Sequence, residues 1–112
     1  MILIYTTIAS LEDAQALAQT LLNERLIACA NLIPGMQSIY LWEEKVEQNT
    51  EVFILFKTTH ALESTVYDRI RALHSYQCPA LFSLTPSHQC SIFESWIQQS
   101  TQLSSPEIVS VI

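Results

Sequence analysis

Along this chain, short continuous runs of hydrophobic residues are followed by segments in which hydrophobic residues recur at helical spacing. This succession predicts the order of its strands and helices. The first run, residues 2–6, is typical of a buried strand. Ser10 then stands where a helix N-cap belongs, ahead of acidic residues that favour the positive end of a helix. The apolar stripe of this first helix consists of Leu11, Ala14, Leu17, Ala18, Leu21 and Leu22.

The middle of the chain predicts a long β-hairpin. Strand-like residues 27–42 are interrupted at Gly35, the only glycine, which we interpret as a bend or bulge. Glu43 and Glu44 form the predicted turn, and residues 45–57 form the returning strand. Strands of this length exceed the usual five or six residues. We therefore expect the hairpin to project beyond a small domain and to need a partner surface.

Beyond the hairpin the pattern predicts a helix, a strand, a further helix and a final strand. The helix runs from Thr58 or Thr59 to about Leu73, and the strand covers residues 80–85. The further helix starts at Pro86 and Ser87, a polar connector covers residues 98–106, and the final strand covers residues 108–112. The order of elements is that of the split βαβ, or ferredoxin-like, pattern with an added C-terminal helix. It predicts an α+β fold in which an antiparallel sheet carries two helices on one face and leaves the other face bare.

Length and composition point to one domain that assembles with copies of itself. The 112 residues predict a single domain over residues 1–112, with a globular core to about residue 100 and an extension over residues 101–112. Hydrophobic residues make up 49% of the chain and charged residues only 14%. A small monomer has difficulty hiding so much apolar surface, and exposed apolar patches usually mark interfaces.

Charge and cysteine content exclude several classes of partner. The net charge is −6, from 11 acidic and 5 basic residues, and the basic residues are scattered. Nucleic-acid binding requires clustered cations, so we expect no nucleic-acid partner. No apolar run is long enough to span a bilayer, and we expect no membrane partner. Three unpaired cysteines and an N-terminus unlike a signal peptide favour the cytoplasm.

The loop over residues 74–79 concentrates the candidate chemistry, because it contains an imidazole, a phenol, an amide and a thiol. Its polar residues are also ordinary for a helix–strand connection. His74 and Cys78 are candidate metal ligands. As a catalytic base and nucleophile they would also need a third residue to orient them, and the sequence contains no recognisable one. Cys29 is either a small buried hydrophobe or a ligand. With neither a glycine-rich phosphate loop nor a G-x-S-x-G motif, we predict no enzymatic activity.

Two further positions have alternative roles. Trp42, with Tyr40, either lines a ligand cleft or anchors an interface, and the projecting hairpin favours the interface. Lys57 ends an apolar strand, where it either meets an anion or packs its stem and extends its charge to water.

Five motifs occur in one order along the chain: Ala-Cys-Ala-Asn-Leu-Ile-Pro-Gly at residues 28–35, Ser-Ile-Tyr-Leu-Trp-Glu at 38–43, Lys-Thr at 57–58, Leu-His-Ser-Tyr-Gln-Cys-Pro at 73–79, and Trp96. Together they resemble the CutA family of divalent-cation-tolerance proteins over about residues 4–96. The resemblance implies a ferredoxin-like subunit in a homotrimer like that of the PII signalling proteins. It also implies a link to divalent-cation tolerance, with copper or another divalent cation as ligand and no essential cofactor.

The resemblance also implies where the ligands bind. Matching positions place Trp42, Lys57, His74 and Tyr76 in a cleft between subunits, and the candidate metal ligands are Cys29, His74 and Cys78. The leading hypothesis is thus a non-enzymatic, metal-binding trimer. The alternative is a PII-like sensing or scaffolding trimer, in which Lys57, Trp42 and Tyr76 clasp an organic anion.

Three positions depart from the family pattern. Ser75 replaces a proline and Gln77 replaces an acid, which weakens any site for a hard cation at position 77. Glu44 stands where the family usually has glycine in the hairpin turn. A tight primed turn needs positive φ angles, so either the turn is altered or it carries strain of about 1 kcal/mol.

Overall fold

A computed structural model describes residues 1–101 of the chain. Its elements in order are β1 (Ile2–Ile8), α1 (Leu11–Asn23), β2 (Cys29–Trp42), β3 (Lys45–Thr58), a 3-10 turn (His60–Leu62), α2 (Glu63–Leu73), β4 (Leu81–Leu84) and α3 (Ser91–Ser100). None of these helices is both long enough and apolar enough to cross a membrane.

The four strands form one antiparallel sheet in the order β2-β3-β1-β4. This topology confirms the predicted ferredoxin-like α+β fold. Both α1 and α2 pack on the sheet face that carries Ile4, Ile54 and Phe56, and all three of these side chains are fully buried. The core continues through Leu62 of the 3-10 turn and through the apolar stripes of the two helices: Ala14, Leu17, Ala18, Leu21, Val66 and Ile70.

Helix α1 is closed at both ends by local interactions, a side-chain cap at its start and a left-handed residue after its end. The Ser10 hydroxyl accepts a hydrogen bond from the Asp13 amide at 3.1 Å, which confirms the predicted N-cap. The helix closes with Arg25 at a φ of 57°, which lets the Leu26 amide bond back to the Leu21 carbonyl at 3.0 Å.

The opposite sheet face, here called the open face, carries Leu3, Tyr5 and Leu55 in register with two residues of the edge strand β4. Those two residues, Phe82 and Leu84, are 46% and 50% exposed. The face is partly covered by α3, because the Phe93 ring lies 5.5 Å from the Lys57 ammonium. The sheet face predicted to be bare is therefore uncovered only where α3 does not pack on it.

The hairpin β2–β3 extends far beyond the rest of the subunit. Both strands have 14 residues, and the molecule measures 51 × 27 × 23 Å. The register shifts between Ile33 and Met36, where Gly35 has a φ of 80°, so the predicted bulge is confirmed. The tip of the hairpin, residues 39–46, is exposed, and its large apolar side chains flank the charged residues Glu43, Glu44 and Lys45.

Several predicted boundaries were wrong. Thr58 belongs to β3 and donates to the Leu26 carbonyl, and Thr59 precedes the 3-10 turn without a capping hydrogen bond. Helix α3 begins at Ser91 because Cys90 is still extended, and it continues through the first three residues of the predicted polar connector. The buried side chain of Ile97 explains that continuation. The predicted strand over residues 108–112 lies outside the described residues.

The hairpin turn keeps its tight geometry despite the missing glycine. Glu43 and Glu44 have φ angles of 50° and 67°, between the paired residues Trp42 and Lys45. Two positive φ values in a two-residue loop define a type I′ turn. Of the two outcomes left open by the sequence, the strained primed turn is the one observed.

We predict that Glu44→Gly raises the free energy of unfolding by about 0.5–1 kcal/mol, since glycine avoids the left-handed penalty but adds unfolded-state entropy. Denaturant unfolding at fixed protein concentration measures it. Glu47→Gly, within exposed β3, is the matched control and lowers stability. Equal destabilisation by both substitutions would show that the turn is not strained.

Candidate functional site

His74 is a buried residue that joins the end of α2 to β1. Its Nε2 lies 2.8 Å from the Thr7 carbonyl oxygen, and its Nδ1 accepts a hydrogen bond from the Tyr76 amide at 3.0 Å. A carbonyl only accepts and a backbone amide only donates, so the ring is the neutral tautomer with its proton on Nε2. Both ring nitrogens are therefore already engaged within the subunit.

The loop after His74 is fixed at its other end as well. The Thr6 hydroxyl donates to the Ala80 carbonyl at 2.7 Å, just before β4 begins. The Thr6 oxygen also lies 3.3 Å from Nε2 of His74. Residues 75–79 are thus held at both ends against β1, as expected for a loop whose side chains must keep defined positions.

Glu51 is the charged centre of the site. Its Oε1 accepts a hydrogen bond from the Ser38 hydroxyl at 2.6 Å, and its Oε2 accepts one from the Tyr76 phenol at 2.8 Å. Partial burial raises the pKa of Glu51, but hydrogen bonds from Ser38, Tyr76 and Thr7 outweigh it. The net result is a pKa below the usual range, so Glu51 is a carboxylate at neutral pH.

The pKa of the Tyr76 phenol is shifted in the opposite direction from that of Glu51. Burial, and then its hydrogen bond to Glu51 and the negative charges of Glu51 and Tyr40, raise the pKa of Tyr76 to about 12. Tyr76 is consequently a protonated donor throughout the physiological range. Its ring also lies beside the His74 ring, with 4.9 Å between the centroids. We call the four side chains of Ser38, Glu51, His74 and Tyr76 the Glu51 network.

Two members of this network, Ser38 and Glu51, were missed by the sequence reasoning. A signal for Glu51 was available: it immediately precedes the apolar half of β3, and two-residue alternation places it on the face of Phe53 and Leu55. A carboxylate at the border between a solvated and a buried half of one strand must find hydrogen-bond donors.

The other predicted cleft residues lie elsewhere. Lys57 is paired with Cys29, six residues along β3 from Glu51 and therefore about 20 Å away. Trp42 is paired with Lys45 at the hairpin tip, about 20 Å from Glu51 in the other direction, and is 62% exposed. One subunit thus brings His74 and Tyr76 together but separates them from Trp42 and Lys57. The three residues predicted to clasp an organic anion, Lys57, Trp42 and Tyr76, are therefore apart within one subunit.

The predicted metal ligands are also separated within one subunit. Cys29 begins β2 and Cys78 precedes β4, and the sheet order puts about 14 Å between those strands. Among residues 1–101, no group of three or more His, Cys, Asp or Glu side chains is arranged to hold a metal ion. The metal-ligand assignments of Cys29, His74 and Cys78 stay predictions, and a shared ion would require ligands from more than one subunit.

Comparisons with known proteins agree with this architecture. A family model described as CutA1 divalent ion tolerance protein matches residues 2–100. The Divalent-cation tolerance protein CutA of Thermus thermophilus is 35% identical over 95 residues, which cover 85% of this chain and 92% of the relative. The crystal structure of CutA1 from Ehrlichia chaffeensis superposes with a TM-score of 0.88 at 37% identity, covering 91% of this chain and 95% of that chain.

A plant relative is longer than this chain. Protein CutA, chloroplastic, of Arabidopsis thaliana is 31% identical over 101 residues, which cover 90% of this chain. The match spans only 56% of the plant protein. The comparison therefore extends to the domain described above and not to the remainder of the plant protein.

The network makes a specific prediction for the titration of tyrosine. Ultraviolet titration should show one phenol with a pKa of about 12, absent in Tyr76→Phe. Glu51→Gln should lower that pKa towards the ordinary value without reaching it, because burial, the largest cause, remains. Gln48→Glu, on the exposed part of β3, is a charge control. A Tyr76 pKa unchanged by Glu51→Gln would contradict the assigned hydrogen bond.

Proposed function

The chain belongs to the CutA1 divalent ion tolerance family, and on that premise we propose that it acts in divalent-cation tolerance as a cytoplasmic homotrimer. The trimer binds divalent metal ions, copper foremost, at clefts between subunits, and it catalyses no reaction. The family and its relatives are named for tolerance of divalent cations, which supports the general role. The copper, the trimer and the clefts are our proposal.

The observation that carries the proposal is the exposed hairpin tip. Its four large apolar side chains are 62–73% exposed in the isolated subunit: Ile39, Leu41, Trp42 and Val46. Ile39, Leu41 and Val46 form an apolar patch on one face of the hairpin, because Leu41 pairs with Val46 and side chains alternate along a strand, whereas Trp42 lies on the other face. A surface of this kind marks an interface. Association of copies through this tip would cover it.

Assembly also accounts for the dispersal of the predicted cleft residues. Trp42 lies too far from Tyr76 to share a ligand within one subunit, yet the hairpin carries Trp42 outwards to where another subunit can sit. We therefore propose a cleft in which His74 and Tyr76 of one subunit meet Trp42 of a neighbour, with Lys57 supplied by a different subunit from that of His74 and Tyr76.

The donor chemistry favours a soft ion. Cys78 is exposed, Cys29 is half-buried, and thiolate and imidazole are ligands that suit copper. Gln77 supplies an amide where the family usually has an acid, and an amide is a poorer ligand for a hard cation. His74 can join a metal site only by giving up its bond to Tyr76 or to Thr7.

The trimer is tested by sedimentation equilibrium. We expect a mass of three times the 12.7 kDa subunit, and we expect Leu41→Glu at the hairpin tip to shift the protein towards monomer. A charge buried at an apolar interface is costly, which gives the shift its direction. Leu22→Glu, an exposed leucine on α1, is the matched control and leaves the mass unchanged. A wild-type monomer would overturn the proposed assembly.

Metal binding is tested by anaerobic titration with copper(I) against a competing chelator. We expect Cys29→Ser and Cys78→Ser each to weaken binding at least tenfold, since loss of a ligand costs more than loss of a supporting contact. Cys90→Ser removes a third thiol that is not in the proposed set and serves as the control. His74→Ala tests the imidazole, with sedimentation as a check on its folding.

Two outcomes would count against the metal site. Binding that survives Cys29→Ser and Cys78→Ser but is lost in Cys90→Ser would assign the ion elsewhere. Identical stoichiometric binding in the wild type and His74→Ala would remove His74 from the ligand set.

A further inference from the structure

Two half-buried charges on the open face have no counter-charge within the subunit. The Glu51 carboxylate accepts hydrogen bonds from neutral hydroxyl groups, and no cation lies within 4 Å of it among residues 1–101. In the same part of the chain, the Lys57 ammonium has no carboxylate within 4 Å. Arg69 shows the contrast, because it makes bonds of 2.8 and 2.7 Å to the Glu24 carboxylate. Charges withdrawn from water are normally paired, so one subunit leaves both groups incomplete.

Helix α3 sets the position of the Lys57 ammonium. The nitrogen lies 5.5 Å from the centre of the Phe93 ring, a distance at which the face of an aromatic ring attracts a cation. The Phe93 ring is supported in turn by Trp96, with 5.8 Å between the two ring centroids. The ring supplies no anionic oxygen, so the N–H groups on the other sides of the ammonium can still donate to a carboxylate.

An apolar surface lies between the two charges. Glu51 and Lys57 are six residues apart on β3, which is about 20 Å, and two-residue alternation places both side chains on the open face. The same face carries Phe82 and Leu84 of the edge strand, each about half exposed. The Phe82 ring is stacked on the ring of Tyr5, with 4.4 Å between centroids. An apolar centre with charged groups at its edges is the anatomy of a protein–protein interface.

We propose that the open face docks on a second copy of this chain, and that the Glu51 carboxylate of one subunit pairs with the Lys57 ammonium of its neighbour. Within one subunit about 20 Å separates the two groups, so each must meet its counter-charge on another subunit. Contact between two unlike patches of identical subunits is heterologous, and such contacts generate closed rings. The pairing rests on the homotrimer proposed above, in which it would occur three times.

The pairing determines which of the proposed ligands meet between subunits. Cys29 is paired directly with Lys57 across β2 and β3, so their side chains lie on one face. The Tyr76 phenol donates to Glu51 at 2.8 Å, and the Tyr76 amide donates to Nδ1 of His74. Contact between Glu51 and the Lys57 of a neighbour therefore brings His74 of the first subunit towards Cys29 of the second. Lys57 is then a positioning residue for the cleft.

A double-mutant cycle tests the pairing. Sedimentation equilibrium gives the trimer dissociation constant of the wild type, Glu51→Gln, Lys57→Gln and the double variant, all at one urea concentration that partly dissociates the wild type. Either substitution alone removes the charge pair, so the second substitution has less left to remove. We expect the effect of the double variant to be about a hundredfold smaller than the product of the single effects, from about fivefold for each of three pairs.

Lys45→Gln is the matched control for Lys57→Gln. It removes the same charge from the same strand and the same face, but at the hairpin tip. Its effect should simply multiply with that of Glu51→Gln, because the two groups are not paired. Glu51→Gln keeps an amide oxygen that can accept the hydrogen bond of Tyr76, and circular dichroism of every variant checks the fold.

Two results would overturn the pairing and leave the trimer in place. The first is a set of single effects for Glu51→Gln and Lys57→Gln that multiply fully in the double variant. The second is a coupling of Lys45 to Glu51 as large as that of Lys57, which would show a general effect of charge. A wild-type protein of monomer mass without urea would instead overturn the assembly and the pairing together, so the two failures are distinguishable.

Discussion

The rest of this structure depends on a mismatch in strand length. β1 has 7 residues and pairs with the part of β3 from Val52 to Thr58, whereas β3 and its partner β2 have 14 each. The half of the hairpin before Val52 therefore has no third strand beside it within the subunit. There each strand is hydrogen-bonded to its hairpin partner along one edge only, and the apolar side chains near the tip have nothing to pack against. The need for a partner surface follows from this mismatch and not from composition alone.

Glu51 stands at the point where the hairpin leaves β1, one residue before the first β1–β3 pair. Its carboxylate holds β2 through Ser38 and the loop through Tyr76, and His74 holds the same loop to β1. Charge-assisted hydrogen bonds of this kind are worth more than neutral ones. The Glu51 network thus fixes the direction of an unsupported hairpin relative to the body. The direction matters because any contact made by the tip, about 20 Å further out, inherits the angle set here.

Local patterns predicted the elements because each depends on nearby residues. The Ser10 cap and the bulge at Gly35 follow from sequence spacing and are confirmed. Four residues of the predicted stripe of α1 are buried, whereas Leu11 and Leu22 at its ends are exposed. The start of α3 was missed because Pro86 is compatible with a helix start as well as with a loop. Glu51 is 13 residues from Ser38 and 25 from Tyr76, and His74 is 67 residues from its partner Thr7, so no local pattern encodes these pairings. The sequence motif contained His74 and Tyr76, but only the fold shows that they face Glu51.

The two hydrogen bonds of His74 determine what a ligand at this residue would have to displace. Nδ1 is bonded to the Tyr76 amide and Nε2 to the Thr7 carbonyl, so a metal ion can gain an imidazole ligand only by breaking one of these bonds. Loss of the bond to Tyr76 frees the backbone that positions its phenol on Glu51. Any binding at His74 would consequently be coupled to the orientation of the hairpin through this one side chain. In an assembly built through the hairpin tip, an ion held by His74 would therefore act on the contacts between subunits as well as on its own ligands.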